Sequence, residues 1–464
     1  MLRLRPLFLI TLVLLAPRIA QAEPLRFIAI GGGSTPEYTE ISLEQDLQLA
    51  LKVLPGPGSA FFAGGSESRS VRVLNPSADP NSLLVRLGDL FSPRAGRDSS
   101  YRRPALTAAA ASLDNVEEEL RRALSEPTTT PLLVYIAAHG EQGEQARSNH
   151  VGLWGGEVLD VARVAALHDG RSRPLRLLVA SCYSGGFGEL AFRDAQPGHG
   201  PAKLRCGVFA GPWDRQTSGC DPNPDRRAQE GYSIHVLHAL LGQDREGKPL
   251  PKAEIDFDAD GKVGLLEAHT RARIASMSID VPTTTSERFL REVEHRRGQP
   301  SAAGLPEEAA VIKQLGARLG LLTKASAEQR YKQVGAQLDR LDERLDQADD
   351  ARGRAQSRFS AQLLARWPVL DDPYHPDFAN LLQKNQKTIA ALFDSDPDAR
   401  ELSRLDAEID DLTAELSELE PQEAAVLRLL RAYETASLAA ALKARGGANY
   451  QQYRALLECE RAGL

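Results

Sequence analysis

LLVYIAAHGEQG at 132–143 and LRLLVASCYSGGF at 175–187 decide how this chain folds. Pro131 to Ala138 and Pro174 to Ser181 are nearly continuous apolar runs of strand length. Strands apolar on both faces belong to a parallel sheet covered by helices on either side. Between them, Glu157 to His168 has helical spacing. Upstream, Leu25 to Ile30 is a third apolar run, ending in Gly31-Gly32-Gly33, and Ser42 precedes a helix with Leu43, Leu47, Leu49, Ala50 and Val53 roughly on one side. Strands alternating with helices predict an α/β class with a mostly parallel sheet. Val71 to Leu74 and Lys203 to Ala210 add candidate strands. Asn115 to Leu124 and Glu230 to Leu241 add helices. Gly56 to Arg69 and Pro93 to Arg103 read as loops.

In open α/β sheets, function gathers beyond the carboxyl ends of the strands. The first long run ends at His139-Gly140 and the second at Cys182. A thiolate nucleophile with a histidine to exchange protons is the minimum for covalent acyl transfer. Backbone amides can hold the resulting oxyanion. Gly140, lacking a side chain, would let the backbone approach a substrate carbonyl. Either residue alone reads as structural, a buried small thiol or a satisfied histidine. Two strand ends carrying both reverse that reading.

The paired pattern, apolar strand to His-Gly and apolar strand to Ala-Ser-Cys, resembles the caspase-like cysteine peptidases, the group of caspases, metacaspases, legumains, gingipains and clostripain. The details HGxxG and CxSGxF are similar to legumains. The resemblance implies a three-layer sandwich over residues 23–250. It implies Cys182 as nucleophile, His139 as general acid/base, and the Gly140 and Cys182 N–H groups as oxyanion donors. It also implies that the loop after the first strand, with Glu37 and Glu40, helps shape the pocket for the residue before the cut bond. Asp214, after the cysteine, is a further acidic candidate that would favour Lys or Arg. The sequence departs from the pattern at Ala180, where legumain-like chains carry an acid.

A second motif lies at Asp256-x-Asp258-x-Asp260-Gly261, followed by Glu267. Alternating hard oxygen donors, a glycine at the sharp turn, the Lys262 carbonyl and a terminal glutamate resemble the EF-hand calcium loop in full. Pro249 and Pro251 argue against an entering helix, whereas Leu265 to Ala275 suits an exiting one. Residues 251–300 are expected to complete the core around this loop. His199, His235, His238 and His269 lack the spacing of a zinc site. Four cysteines in 464 residues are too few for a disulfide scaffold. Cys206 and Cys220, 14 apart among glycines, are expected to pair, leaving Cys459 unpaired.

Residues 301–464 differ in kind. Val334, Leu338, Leu341, Leu345 and Ala348, then Leu402, Leu405, Ile409, Leu412, Leu416 and Leu419, repeat at alternating steps of three and four. Such heptad seams, separated by the Asp- and Pro-bearing 367–398, predict an antiparallel helical hairpin resembling a coiled coil, with Pro421 kinking or interrupting the second arm. Met1 to Ala22 reads as a cleavable leader: Arg3 and Arg5, an apolar run from Leu7 to Ala16, then Ala20-Gln21-Ala22. Export to the periplasm or secretion, without a stable membrane anchor, follows. The net charge of −7 disfavours nucleic acid as a partner. The expected activity is a calcium-stabilised cysteine endopeptidase acting on protein or peptide, with the hairpin as an autoinhibitory tail or a coiled-coil partner surface. A non-catalytic calcium-binding scaffold and a transamidase using the same dyad are the alternatives.

Overall fold

The computed structural model describes residues 25–463, apart from 55, 76–78, 80–81, 94–97, 299–300 and 302. The leader read at 1–22 lies outside the described residues. The strands are β1 (Arg26–Gly32), β2 (Gly58–Phe62), β3 (Val71–Leu74), β4 (Ser99–Arg102), β5 (Leu132–Ala138), β6 (Gly140–Glu141), β7 (His150–Gly152), β8 (Val158–Asp160), β9 (Leu175–Val179), β10 (Arg205–Phe209) and β11 (Thr283–Thr284). The helices of the α/β body are α1 (Ile41–Val53), α2 (Leu83–Phe91), α3 (Leu113–Leu124), α4 (Val161–His168), α5 (Tyr232–Leu240), α6 (Leu265–Ala275) and α7 (Thr285–Val293). Beyond them, α8 (Pro306–Ala310) runs through a π turn into α9 (Gly316–Leu319). Then come α10 (Lys324–Arg366), α11 (Phe378–Ser395), α12 (Pro397–Arg445) and α13 (Gly447–Arg461).

The central sheet has the order β11-β10-β9-β5-β1-β2, parallel except for β11. Every residue of β5 and β9 is buried, as their uninterrupted apolar composition requires. Alternate residues serve opposite faces. Ile28, Ile30, Val134, Ile136, Leu177 and Val179 meet α3 and α4, whereas Phe27, Ala29, Leu133, Tyr135, Leu178 and Val208 meet α1, α5 and α6. The result is helices on both faces of one sheet. From β1 the chain goes outward to β2, then returns to the other side of β1 for β5. The order therefore reverses between β1 and β5, where an open sheet leaves a crevice at its carboxyl edge.

β2 falls inside the stretch read as loop. Its sequence GSAFF offers only Phe61 and Phe62 as buried residues, and it forms an edge. The two heptad seams do pair. Leu341, Ala348, Leu405, Leu412 and Leu416 form one buried cluster. Arg330 bonds Gln422, Arg352 bonds Asp406 and Arg358 bonds Asp398, a register that runs antiparallel. α12 runs on through Pro421, so the proline does not interrupt the second arm. Proline removes one backbone hydrogen bond, and the packed turns on either side outweigh that loss. Asp396 caps α12, accepting from the N–H groups of Asp398 and Ala399, with Pro397 at the first helical position. Among the described residues no helix is long and apolar enough to cross a membrane.

The disulfide joins Cys206 to Cys459, not to Cys220. Cys206 sits in β10, against which α13 packs, whereas Cys220 lies in a loop and keeps a free thiol. The 14-residue spacing said nothing about which residue crosses from the far end of the chain.

Candidate active site and acidic loop

β5 and β9 are parallel neighbours, with Ile136 opposite Val179. His139-Gly140 and Cys182 therefore leave the sheet side by side. A Cβ built on Gly140 would stand 2.0 Å from the Cys182 carbonyl oxygen. Only glycine lets these two backbones touch. The closeness attributed above to a substrate carbonyl is a closeness to the Cys182 peptide. Tyr183, the residue after the cysteine, adopts φ 57°, a left-handed turn that costs a non-glycine residue energy. Its N–H donates to the Arg215 carbonyl (2.9 Å). Buried Asn149 ties the surrounding loops together: it donates to the carbonyls of Tyr183 (2.9 Å) and Trp213 (2.7 Å) and accepts from Gly143 N–H (3.0 Å).

Cys182 is enclosed by Thr217. The Thr217 N–H donates to Sγ (3.3 Å), and the thiol donates to the Thr217 carbonyl (3.4 Å). The cavity here, bordered by Ala138, Cys182, Ser218, Asp46 and Arg226, measures about 10 Å³, room for one water at most. Asp46 is paired with Arg226 in this cavity. Buried Asp280 holds the next residues, accepting from Ser218 N–H and Tyr232 N–H at 2.7 Å each. Burial pushes its carboxyl up to about 6. Arg215, in the same loop, reaches Glu423 of α12 (2.7 Å), so the helical region holds the loop that covers the cysteine.

Glu40 is 4% exposed and hydrogen-bonds His139 Nε2 through Oε2 (2.9 Å), while its Oε1 meets Arg72 (3.2 Å). The Tyr38 ring stands edge-on to the His139 ring, centroids 5.7 Å apart. The resemblance suggested Glu40 as a pocket acid; in the structure its partners are His139 and Arg72. Sequence offered only its position in the loop after β1. Glu37 is exposed and borders a cleft of about 730 Å³ with Thr35, Tyr38, Tyr101, Leu87 and Phe91. Leu370, Asp371 and Tyr374 of the segment between α10 and α11 form the cleft's other wall. Asp214 is exposed beside Arg215. Cys220, expected to be a disulfide partner, instead brings its sulfur within 4.8 Å of ligand atoms of Glu40 and His139. Although the residue as a whole is exposed, burial of its sulfur, then the Glu40 charge, pushes its thiol well above the ordinary range.

Away from the sheet edge, Asp256, Asp258 and Asp260 converge, each with an oxygen within 4.8 Å of the others. The loop turns as the motif demands: Gly261 N–H donates to Asp256 Oδ1 (3.4 Å) and Lys262 N–H to Asp260 Oδ1 (2.8 Å). Glu267 is engaged by the loop's own backbone. It accepts from the N–H groups of Phe257 (2.6 Å), Asp258 (3.3 Å) and Gly264 (3.0 Å), and burial raises its pKa. Three aspartates thus suit a hard cation, and Glu267 would have to leave backbone amides to complete the set.

No protein-family model matches this chain, and no curated protein matches it in sequence.

Proposed function

We propose that this chain is an exported cysteine endopeptidase of caspase-like type, with Cys182 as nucleophile and His139 as its proton-exchanging partner. The observation that carries the reading is the backbone contact of Gly140 with Cys182 at adjacent strand ends, beside a topological reversal of the sheet. The Cys182 thiolate attacks the peptide carbonyl carbon, and the N–H groups of Gly140 and Cys182 receive the oxyanion. Glu40 engages His139 Nε2, which leaves Nδ1 to protonate the departing amine and then to deprotonate the water that hydrolyses the thioester. The cleft bordered by Tyr38, Glu37 and Tyr374 is the space for substrate. In this reading the attacking sulfur exchanges its hydrogen bonds to the Thr217 backbone for the substrate.

Calcium at Asp256, Asp258 and Asp260, with the Lys262 carbonyl and Glu267, is part of the same proposal. It would brace the start of α6, which packs beneath the sheet. Cys182→Ala should lower peptide hydrolysis by about three orders of magnitude or more, and an electrophilic peptide should label Cys182 in the native protein. A native protein that cleaves nothing in a diverse peptide library, with calcium and after limited nicking, would count against the reading.

A further inference from the structure

We propose that Glu40, His139 and Cys220 form a site for a divalent transition ion of zinc type, and that filling this site takes His139 out of the reaction. A carboxylate oxygen, an imidazole nitrogen and a thiol sulfur of these residues lie within 4.8 Å of one another. Tetrahedral zinc bonds of roughly 2.0–2.3 Å set such atoms about 3.4–3.6 Å apart. Side-chain movements on the order of 1 Å therefore close the three onto one ion. The donor set discriminates. Mixed oxygen, nitrogen and sulfur suits zinc or cobalt, whereas calcium and magnesium take oxygen alone. The acidic loop at Asp256 is the opposite case.

The site is also held in place from behind. Glu40 is buried and fixed by Arg72 (3.2 Å), and the Tyr38 edge stands against the His139 ring. Such partners orient metal ligands in advance. Three protein ligands leave a fourth position for water or for the Cys182 thiolate, which borders the same small cavity as Cys220. On binding, Cys220 releases its thiol proton to solvent. The proton that a neutral His139 carries on Nε2 moves to Nδ1 by exchange with solvent, and bonds from the ion to Nε2 and to the Glu40 carboxylate replace that hydrogen bond.

The inhibitory consequence rests on the peptidase reading; the site itself does not. The test uses full-length protein with its disulfide intact, stripped by chelator, given excess calcium and titrated with Co²⁺. We expect one equivalent of cobalt with a thiolate-to-cobalt charge-transfer absorption. Cys220→Ala and Cys220→Ser should abolish that absorption, Cys182→Ala should keep it, and Glu40→Gln should weaken binding by about tenfold or more. Absence of the absorption in the native protein, its survival in both Cys220 variants, or its loss in Cys182→Ala alone would overturn the assignment. In peptide hydrolysis, zinc should inhibit the native protein at least about tenfold more strongly than Cys220→Ala. Equal inhibition would overturn the regulatory half. Cobalt binding without any peptide hydrolysis would leave the site standing and remove the peptidase reading.

Discussion

At its base the helical region is joined to the α/β body by a disulfide, ion pairs and two apolar clusters, and at its tip by one apolar cluster with the Arg86–Asp394 pair (3.0 Å) and Gln356 donating to the Leu90 carbonyl (2.8 Å). The base carries the Cys206–Cys459 disulfide, the Arg215–Glu423 pair, and Arg431 on Glu287 (2.9 Å). It also carries Glu460, which accepts from Ser286 N–H (2.7 Å) and Oγ (2.6 Å). Burial opposes charge on Glu287, yet Arg431, Arg291 and Arg273 hold its carboxyl well below the usual range. At the tip, Leu87 and Leu90 of α2 meet Phe359, Leu363, Trp367, Ile389 and Phe393, with Arg86 over the Phe393 ring at 4.5 Å. Directional bonds admit one seating. Apolar contacts tolerate small slides, because their energy follows area more than angle. The cleft beside Tyr38 has one wall at the tip, whereas the loop carrying Thr217 is tied to the base through Arg215 and Glu423.

The comparison can be broken at either end. Replacing Cys459 by serine should have the largest effect, a loss of about 3–5 kcal/mol in denaturant unfolding. An unchanged midpoint would show that the base does not depend on its covalent link. Leu87→Ala should cost about 2–3 kcal/mol, and the loss should be local. Hydrogen exchange should speed up in α2 and α11 and stay slow in β5 and β9; uniform acceleration would mean that the tip is no separate contact.

A further effect is one of pH. Burial raises the Glu460 carboxyl to about 8, so between about pH 4.5 and 8 the folded protein holds a proton that the unfolded chain has lost. Stability from this group is present at low pH and falls as pH rises through that window, by at most about 1.4 kcal/mol per unit. Glu460→Gln should flatten that slope in unfolding measured across the window, and a slope that persists would assign it to another group at the base.

What could be read from the sequence follows the range of each interaction. β5 and β9 were legible because a strand covered on both faces must be apolar throughout, a property of seven or eight adjacent residues. The seams of α10 and α12 were legible for the same reason, since a heptad is local. β2 was not, because an edge strand of five residues has little to distinguish it from a loop. Glu40 was read as a pocket acid because nothing near it in sequence names a partner 99 residues away. Cys206 went to the wrong cysteine for the same reason, its partner lying 253 residues off.

That bond has a consequence for any maturation by cleavage. It encloses the covering loop, the acidic loop and the whole helical hairpin within one covalent ring. One cut anywhere between residues 206 and 459 opens the ring and releases no fragment. A hairpin that restrains the loop over Cys182 therefore cannot be shed by a single protease event. Its departure takes two cuts, or one cut with reduction, so loss of the hairpin needs two separate covalent events.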